Sequence, residues 1–476
     1  MKKIFVIAFL FAVAGCRKEE PIGNDTSAVN DFIWKGMNTY YLWQESVPNL
    51  SDSKNDNASA YQAYLNSHAD HDAFFESLIY EKNTVDKWSW IVDDYIALEQ
   101  YFSGVRKTTG AVIKFYYKNT TTTDLFGVVR YVVPNTNAAN KGVQRGFVFD
   151  KVNGTYLNVS NYANIFNGVS DVNIEWGTYS YDNINESVVI TPNGNNTTLV
   201  YGQYNQNPIY TYNVQNHNGQ KIGYLMYTSF ISNYDAELNQ VFQYFKEQNI
   251  TGLILDLRYN GGGAVSSAIN LSSMITGQFT GQLYTKEIWN SKIQAWLQSE
   301  HPEWISNYFT STLADGSLIN SLQLNQLVVL TTGDSASASE LVINALKPYI
   351  QVTTIGTKTH GKYVASVTLY DSPDFSRTNA NPNHQWAIQP IVLKEVNKEG
   401  SYSTTGFEPD ILIYENPGAM GELGTITESY YNRAVQFITT GTKRSVITRK
   451  TLDLPDNLFE RNEMFVDKNF DIFTRK

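Results

Sequence analysis

Apolar positions recur along this chain with more than one period, and the changes of period divide it. From Asn30 the stretch DFIWKGMNTYYLWQESV sets Phe32, Ile33, Met37, Tyr40 and Tyr41 at the spacing of one helical face. After the polar patch Ser51 to Ala58 the helical spacing resumes through Phe74, Phe75 and Leu78, and again from Trp88 to Phe102. Residues 30–105 are therefore predicted to form a helical N-terminal domain. Near Ala111 the period becomes two. Val112 to Tyr117 and Phe126 to Val133 read as strands around the turn Thr120 to Asp124. A short helix in NTNAAN, then Gly142, Gly146 and the turn Asn153-Gly154, extend a β-rich unit over 106–200. Residues 190–217 continue as Asn- and Thr-rich strands and connectors.

Beyond residue 218 strands and helices alternate, the signature of a largely parallel sheet. Ile222 to Tyr227 predicts a strand, Ala236 to Gln248 a helix, and Gly252 to Arg258 a buried strand running into Tyr259-Asn260-Gly261-Gly262-Gly263. A helix is expected from Ala264. Leu327 to Leu330 predicts a further strand, Ser337-Ala338-Ser339-Glu340 opens an amphipathic helix, and Val352 to Ile355 forms the next strand. Strands around Trp386 to Val396, a turn at Gly406 to Asp410 and a helix from Thr427 to Ile438 complete the α/β core over 218–440. Residues 441–476 form a tail with no readable pattern.

The 476 residues leave room for two or three domains, and 42% hydrophobic with 17% charged residues is a globular balance. A net charge of −10 argues against nucleic acid as a partner, because phosphate binding needs a basic footprint. Cys16 is the only cysteine, so no intrachain disulfide can form. It follows Lys2, Lys3 and the apolar run Ile4 to Val13, and Val13-Ala14-Gly15-Cys16 resembles a bacterial lipoprotein signal. Residues 1–15 would be removed, Cys16 lipidated, and 16–29 left as a tether; the alternative is an ordinary secretory signal with a chance cysteine. Arg17-Lys18-Glu19-Glu20 resembles the signal that sends some Bacteroidetes lipoproteins to the cell surface. The expectation is an outer-membrane lipoprotein of the cell envelope, held by its acyl anchor and displayed at the surface.

Ser337 reads locally as a helix cap, since Ser-x-x-Glu before an apolar helix is a capping box. The same position suits a nucleophile. Unpaired N–H groups at a helix start can stabilise an oxyanion, with Ala338 as one donor and Gly262 as a plausible second. Gly261-Gly262-Gly263 taken alone is an ordinary tight turn and lacks the Lys-Ser/Thr of a phosphate loop. A serine needs a base. Among six histidines none lies in His-Glu-x-x-His, and no Gly-x-Ser-x-Gly elbow occurs. His68 and His71 are expected at the surface. Lys362 arrives with the next β-unit, and His360, two residues before it, is a competing base.

These residues resemble a known family. TTGDSASASELVINALK followed by IGTKTHGKY is similar to the active-site region of the carboxy-terminal processing and tricorn-like proteases, peptidase family S41. In those enzymes the first serine of Ser-Ala-Ser-Glu is the nucleophile and a lysine 25 residues on is the base, the interval between Ser337 and Lys362. Asp256 to Gly263 and Gly406 to Asp410 also resemble family signatures, and residues 106–200 resemble a PDZ module, with a generic β-domain as the alternative. Phe147 stands where the PDZ pattern has Asp, and no Pro precedes Ala138. His360 replaces the usual aromatic, and Ser366 stands where many members carry an orienting glutamine.

The resemblance implies an α/β, ClpP/crotonase-like protease core with a β-rich PDZ-like domain and a helical N-terminal domain. It implies a lipid-anchored serine endopeptidase with a Ser337/Lys362 dyad, cleaving unfolded or C-terminally exposed polypeptides, with no metal or organic cofactor. A PDZ-like edge would bind an extended peptide by strand addition. Lys362 as base must shed its proton near neutral pH. Lowering an ordinary lysine by about three pH units costs roughly 4 kcal/mol, which predicts a mostly apolar pocket beside Ser337. Two other readings stand beside it: a non-catalytic surface lipoprotein binding peptide or glycan on the same scaffold, and a metallohydrolase.

Overall fold

The computed structural model describes residues 26–445, 452–454 and 464–466. Cys16 and Arg17 to Glu20 lie outside the described residues. The centre of the α/β fold is a six-stranded sheet in the order Ile209–His217, Gln220–Tyr227, Gly252–Asp256, Gln326–Thr331, Gln351–Gly356 and Ile411–Leu412. The first pair is antiparallel and every later pair is parallel.

Both faces of this sheet are covered, which is why its strands read as unbroken apolar runs. Leu225, Tyr227, Leu253, Leu255, Leu327 and Val329 enter one core, shared with the helices Asp235–Gln248, Val265–Thr276 and Ala338–Leu346. Tyr224, Met226, Ile254, Val328, Leu330 and Ile355 enter a second core, closed by Tyr430, Tyr431 and Ala434 of the helix Ser429–Thr440. Each buried Leu, Ile, Val or Met side chain among them contributes about 1.5–3 kcal/mol through area removed from water.

The N-terminal helix Thr26–Tyr40 buries Phe32, Ile33, Trp34 and Met37 in the first of these cores, so the helical segment and the central sheet share one apolar interior. Gly36 permits the approach: a Cβ there would stand 2.8 Å from Ile388 Cδ1. The expected helix from Trp88 to Phe102 is only half present. Asp94 caps a helix Tyr95–Phe102 through the N–H groups of Ile96 and Ala97 at 2.9 and 3.0 Å. Trp90–Val92 is instead a strand, antiparallel to Ala387–Gln389, which supplies partners its own neighbourhood lacks. His71 is not a surface residue either. It is 8% exposed, and its Nδ1 lies 2.8 Å from Asn30 Oδ1.

The β-rich unit builds a sheet in the order Leu452–Asp453, Ala111–Tyr117, Leu125–Val132, Val148–Val152, Asp171–Asp182 and Ser187–Val200. Val105–Thr108 and Gly202–Asn205 pair with each other where the chain enters and leaves it. A further sheet runs Gly263–Ala264, Met464–Phe465, Val364–Ser366, Ile391–Asn397, Leu283–Trp289 and Ser306–Tyr308. The tail, without pattern in the sequence, thus contributes a strand to each of two sheets.

Candidate active site

Ser337 stands between the strand Gln326–Thr331 and the helix Ala338–Leu346 with φ 65° and ψ −117°. A non-glycine residue held there stores about 1–3 kcal/mol of strain and persists only where its surroundings over-determine it. The surroundings do so through the loop after Asp256. Thr332 Oγ1 donates to Arg258 O, and Ser335 Oγ to Leu257 O at 2.7 Å. Ala336 N–H and Ser339 Oγ both donate to Asn260 O, at 3.1 and 2.9 Å, so bonds on either side of Ser337 hold it to the glycine loop.

The motif around Asp256 explains why that loop is rigid. Arg258 is fully buried between Asp256 (2.6 Å) and Glu428 (2.9 Å), and Tyr224 Oη donates to Asp256 at 2.7 Å. A buried charge is tolerable only when its hydrogen bonds are met, and removing any one partner would leave the others uncompensated. On the solvent side Asp334 pairs with Lys114 at 3.1 Å and with Arg130, both from the β-rich unit. Those two cations hold its carboxyl well below the usual carboxylate range against the opposing effect of burial.

Glu340 is the centre of the arrangement. Its Oε2 accepts the N–H groups of Ser337 (3.0 Å) and Lys362 (2.9 Å); its Oε1 accepts Gly361 N–H (2.8 Å) and Thr359 Oγ1 (2.6 Å). Burial pushes the carboxyl up to about 7, against four hydrogen bonds that each favour the carboxylate. The Ser-x-x-Glu capping arrangement is therefore present, with Glu340 receiving Ser337 N–H, while Ser337 Oγ itself has no hydrogen-bond partner among the described residues.

The Gly-Phe-x-Pro-Asp stretch braces the lysine loop. Thr359 N–H donates to Phe407 O at 3.1 Å and Phe407 N–H to Thr359 Oγ1 at 2.7 Å. Gly361, at φ 98°, lies so close that a Cβ would stand 2.7 Å from Gly406 N. Asp410 accepts Thr354 N–H at 2.8 Å, fixing the strand that leads into the loop.

Ser337 and Lys362 open on one cavity of about 250 Å³, with Glu340, Leu341, Asn344, Tyr363, Glu395, Tyr402, Ser403 and Phe407. Lys362 is 1% exposed, and its Nζ stands 5.9 Å from the ring centroid of Trp88. Ala338 begins the helix and its N–H makes no hydrogen bond among the described residues. Gly262 differs from expectation: its N–H donates to Asn260 Oδ1 at 2.9 Å, so in this conformation it is not offered to an oxyanion. His360 is exposed and does not line the cavity of Ser337 and Lys362; its N–H donates to Ser335 O at 3.0 Å. Ser366 is buried in the strand that follows Lys362. Three participants were not foreseen from the sequence. Asn260 and Thr359 act through nonlocal hydrogen bonds, and Trp88 comes from the N-terminal segment. Glu340 carried a local signal, but only as a cap.

The model of peptidase family S41 matches residues 221–413, and that of the S41 N-terminal domain matches residues 28–90, together more than half of the chain. A chloroplastic C-terminal processing peptidase of Tetradesmus obliquus is 28% identical over 208 residues, which are 43% of this chain and 39% of that protein. A carboxyl-terminal-processing protease of Picosynechococcus sp. is 24% identical over 236 residues, 49% of each chain. The chain thus spans less than half the length of these curated relatives. The crystal structure of a Bacteroides fragilis protein assigned to the S41 proteases superposes with a TM-score of 0.66 at 24% identity, over 86% of this chain and 97% of that one, a likeness of fold. With the glycine loop, the strained serine and the lysine loop joined as described, the chain belongs to peptidase family S41.

Proposed function

We propose that this protein is a serine endopeptidase in which Ser337 is the nucleophile and Lys362 the general base, acting on unfolded or C-terminally exposed polypeptide. The observation that carries the reading is the shared cavity: both side chains open on it, and one carboxylate, Glu340, ties the two backbones together. Ser337 Oγ would attack the scissile carbonyl and pass its proton to the neutral amine of Lys362. The leaving amine would take that proton back, and water would release the acyl-enzyme. Lys362 is buried beside the serine, and as the base it would act in its neutral form. Ala338 N–H would receive the oxyanion, and Gly262 N–H would join it only after leaving Asn260 Oδ1.

The β-rich unit would serve as a PDZ-like module, and Cys16 as the lipid attachment that places the enzyme in the outer membrane. Radiolabelled palmitate incorporation that survives in the wild type and disappears in Cys16→Ala tests the anchor. Cleavage of an unfolded protein such as reduced casein tests the dyad: Ser337→Ala and Lys362→Ala should each abolish it, and retention of activity in either variant removes that residue from the chemistry. The reading as a non-catalytic binding scaffold has one observation on its side, the buried Ser337 Oγ with no hydrogen bond. A wild type that binds peptide without cleaving it would favour that reading.

A further inference from the structure

The strands that flank the candidate site are bridged by the chain's own later residues. Met464–Phe465 lies between Gly263–Ala264 and Val364–Ser366 and runs parallel to both. Gly263 faces Met464, Ala264 and Ser366 both face Phe465, and Val466 N–H donates to Ser366 O at 3.0 Å. One flanking strand begins at the residue after Gly262, and the other begins two residues after Lys362. The inserted strand therefore occupies the gap between the glycine loop and the lysine loop.

Its side chains are seated as well as its backbone. The Phe465 ring packs on Phe102 with centroids 4.4 Å apart, in a cavity of about 620 Å³ that Gly261, Gly262, Gly263 and Arg106 also line. Val466 is buried in the main core. Upstream, Leu452–Asp453 adds antiparallel to Ala111–Tyr117, pairing with Tyr117 and Tyr116, and Leu454 enters the core of the β-rich unit. Leu452–Asp453 adds to a sheet edge, the mode by which peptides are bound largely through main-chain hydrogen bonds, and Met464–Phe465 fills a gap between two strands by the same main-chain pairing. Without the segment both edges would present unpaired N–H and C=O groups, which a foreign strand can satisfy equally well.

We propose that residues 464–466 are an intramolecular pseudosubstrate. The gap between Gly263–Ala264 and Val364–Ser366 is the slot an extended polypeptide enters, Phe102 receives an aromatic or large apolar side chain there, and the chain's own segment must leave before cleavage. The inference rests on the peptidase reading above and specifies its substrate and its regulation.

The test compares the full chain, a deletion of residues 446–476, and full-length Phe465→Asp, each with and without Ser337→Ala, for casein cleavage and for secondary structure. A segment that closes the slot about 90% of the time predicts a rise of about tenfold on its release. Both the deletion and Phe465→Asp should show it, and a synthetic peptide of residues 460–470 should reverse it. The same peptide, fluorescently labelled, should bind the deletion variant carrying Ser337→Ala and not full-length Ser337→Ala. If the deletion unfolds the protein, Phe465→Asp decides, with a rise supporting the proposal and an unchanged or lower rate overturning it. Ser337-dependent cleavage at one rate in all folded forms, with no peptide binding, overturns the pseudosubstrate and leaves the peptidase standing. Peptide binding confined to the deletion variant, with no cleavage by any form, retains the slot and overturns the peptidase.

Discussion

The backbone N–H groups of Ser337 and Lys362 donate to the same oxygen, Glu340 Oε2, at 3.0 and 2.9 Å. The two residues proposed as nucleophile and base are thus registered to each other through a third residue, while Ser337 Oγ makes no hydrogen bond among the described residues. Glu340→Gln places an amide NH₂ where one carboxylate oxygen accepted two donors. We expect kcat on casein to fall about ten- to a hundredfold, the scale of a displacement near 1 Å, with KM little changed. Loss of satisfied buried donors should also cost about 1–3 kcal/mol in denaturant unfolding. Full activity in the glutamine variant would remove Glu340 from this role.

The same carboxyl predicts a pH dependence. Its folded pKa, about 7, lies above the ordinary 4.5, so the unfolded chain gives up this proton first as pH rises. Stability from this group is therefore complete below pH 4.5 and declines through pH 7, by roughly 3 kcal/mol in all. Activity should move the other way. Four donors need a carboxylate, and protonation below pH 7 removes an acceptor, so kcat should fall on that limb. Urea titrations and rate profiles from pH 5 to 9 check both, and the acid limb should be absent from the residual activity of Glu340→Gln.

Asp334 links the loop that carries Ser337 to the β-rich unit through Lys114 and Arg130. Asp334→Asn takes from two nearly buried cations the carboxylate that pairs with both, at a cost of about 3 kcal/mol. Because the cations hold its carboxyl low, this stability is present above the ordinary carboxylate range and is lost as pH falls through it. The wild type should lose its advantage over Asp334→Asn in acid, as measured by unfolding midpoints.

Gly361 carries the lysine loop past Gly406. Gly361→Ala meets both a φ of 98° and a Cβ position 2.7 Å from Gly406 N. Stability should fall by at least about 1 kcal/mol, and kcat by up to about a hundredfold as Lys362 is displaced. Gly154→Ala, also at positive φ but with open space around the added Cβ, should show backbone strain without the loss of kcat.

Much of the core was legible because its signals are local. The strand–turn–helix carrying Ser337, the glycine loop after Asp256 and the strand before the lysine loop follow from apolar runs, capping residues and glycines that act within a few positions. Trp90–Val92 was not legible, since its hydrogen bonds come from Ala387–Gln389. Met464–Phe465 was hidden for the same reason: two residues have no period, and only the edges on either side make them a strand.

The sequence by itself determined the strands and helices that carry Asp256 and Ser337, the serine's place at a helix start and the interval to Lys362, because these depend on chain neighbours. Only the tertiary structure decided that Glu340 serves two loops, that Asn260 O receives Ala336 and Ser339, and that residues 464–466 fill the gap beside the site. A hydrogen-bonding group's partner is selected by what burial leaves within about 3 Å of it, and that is set by packing across the whole chain.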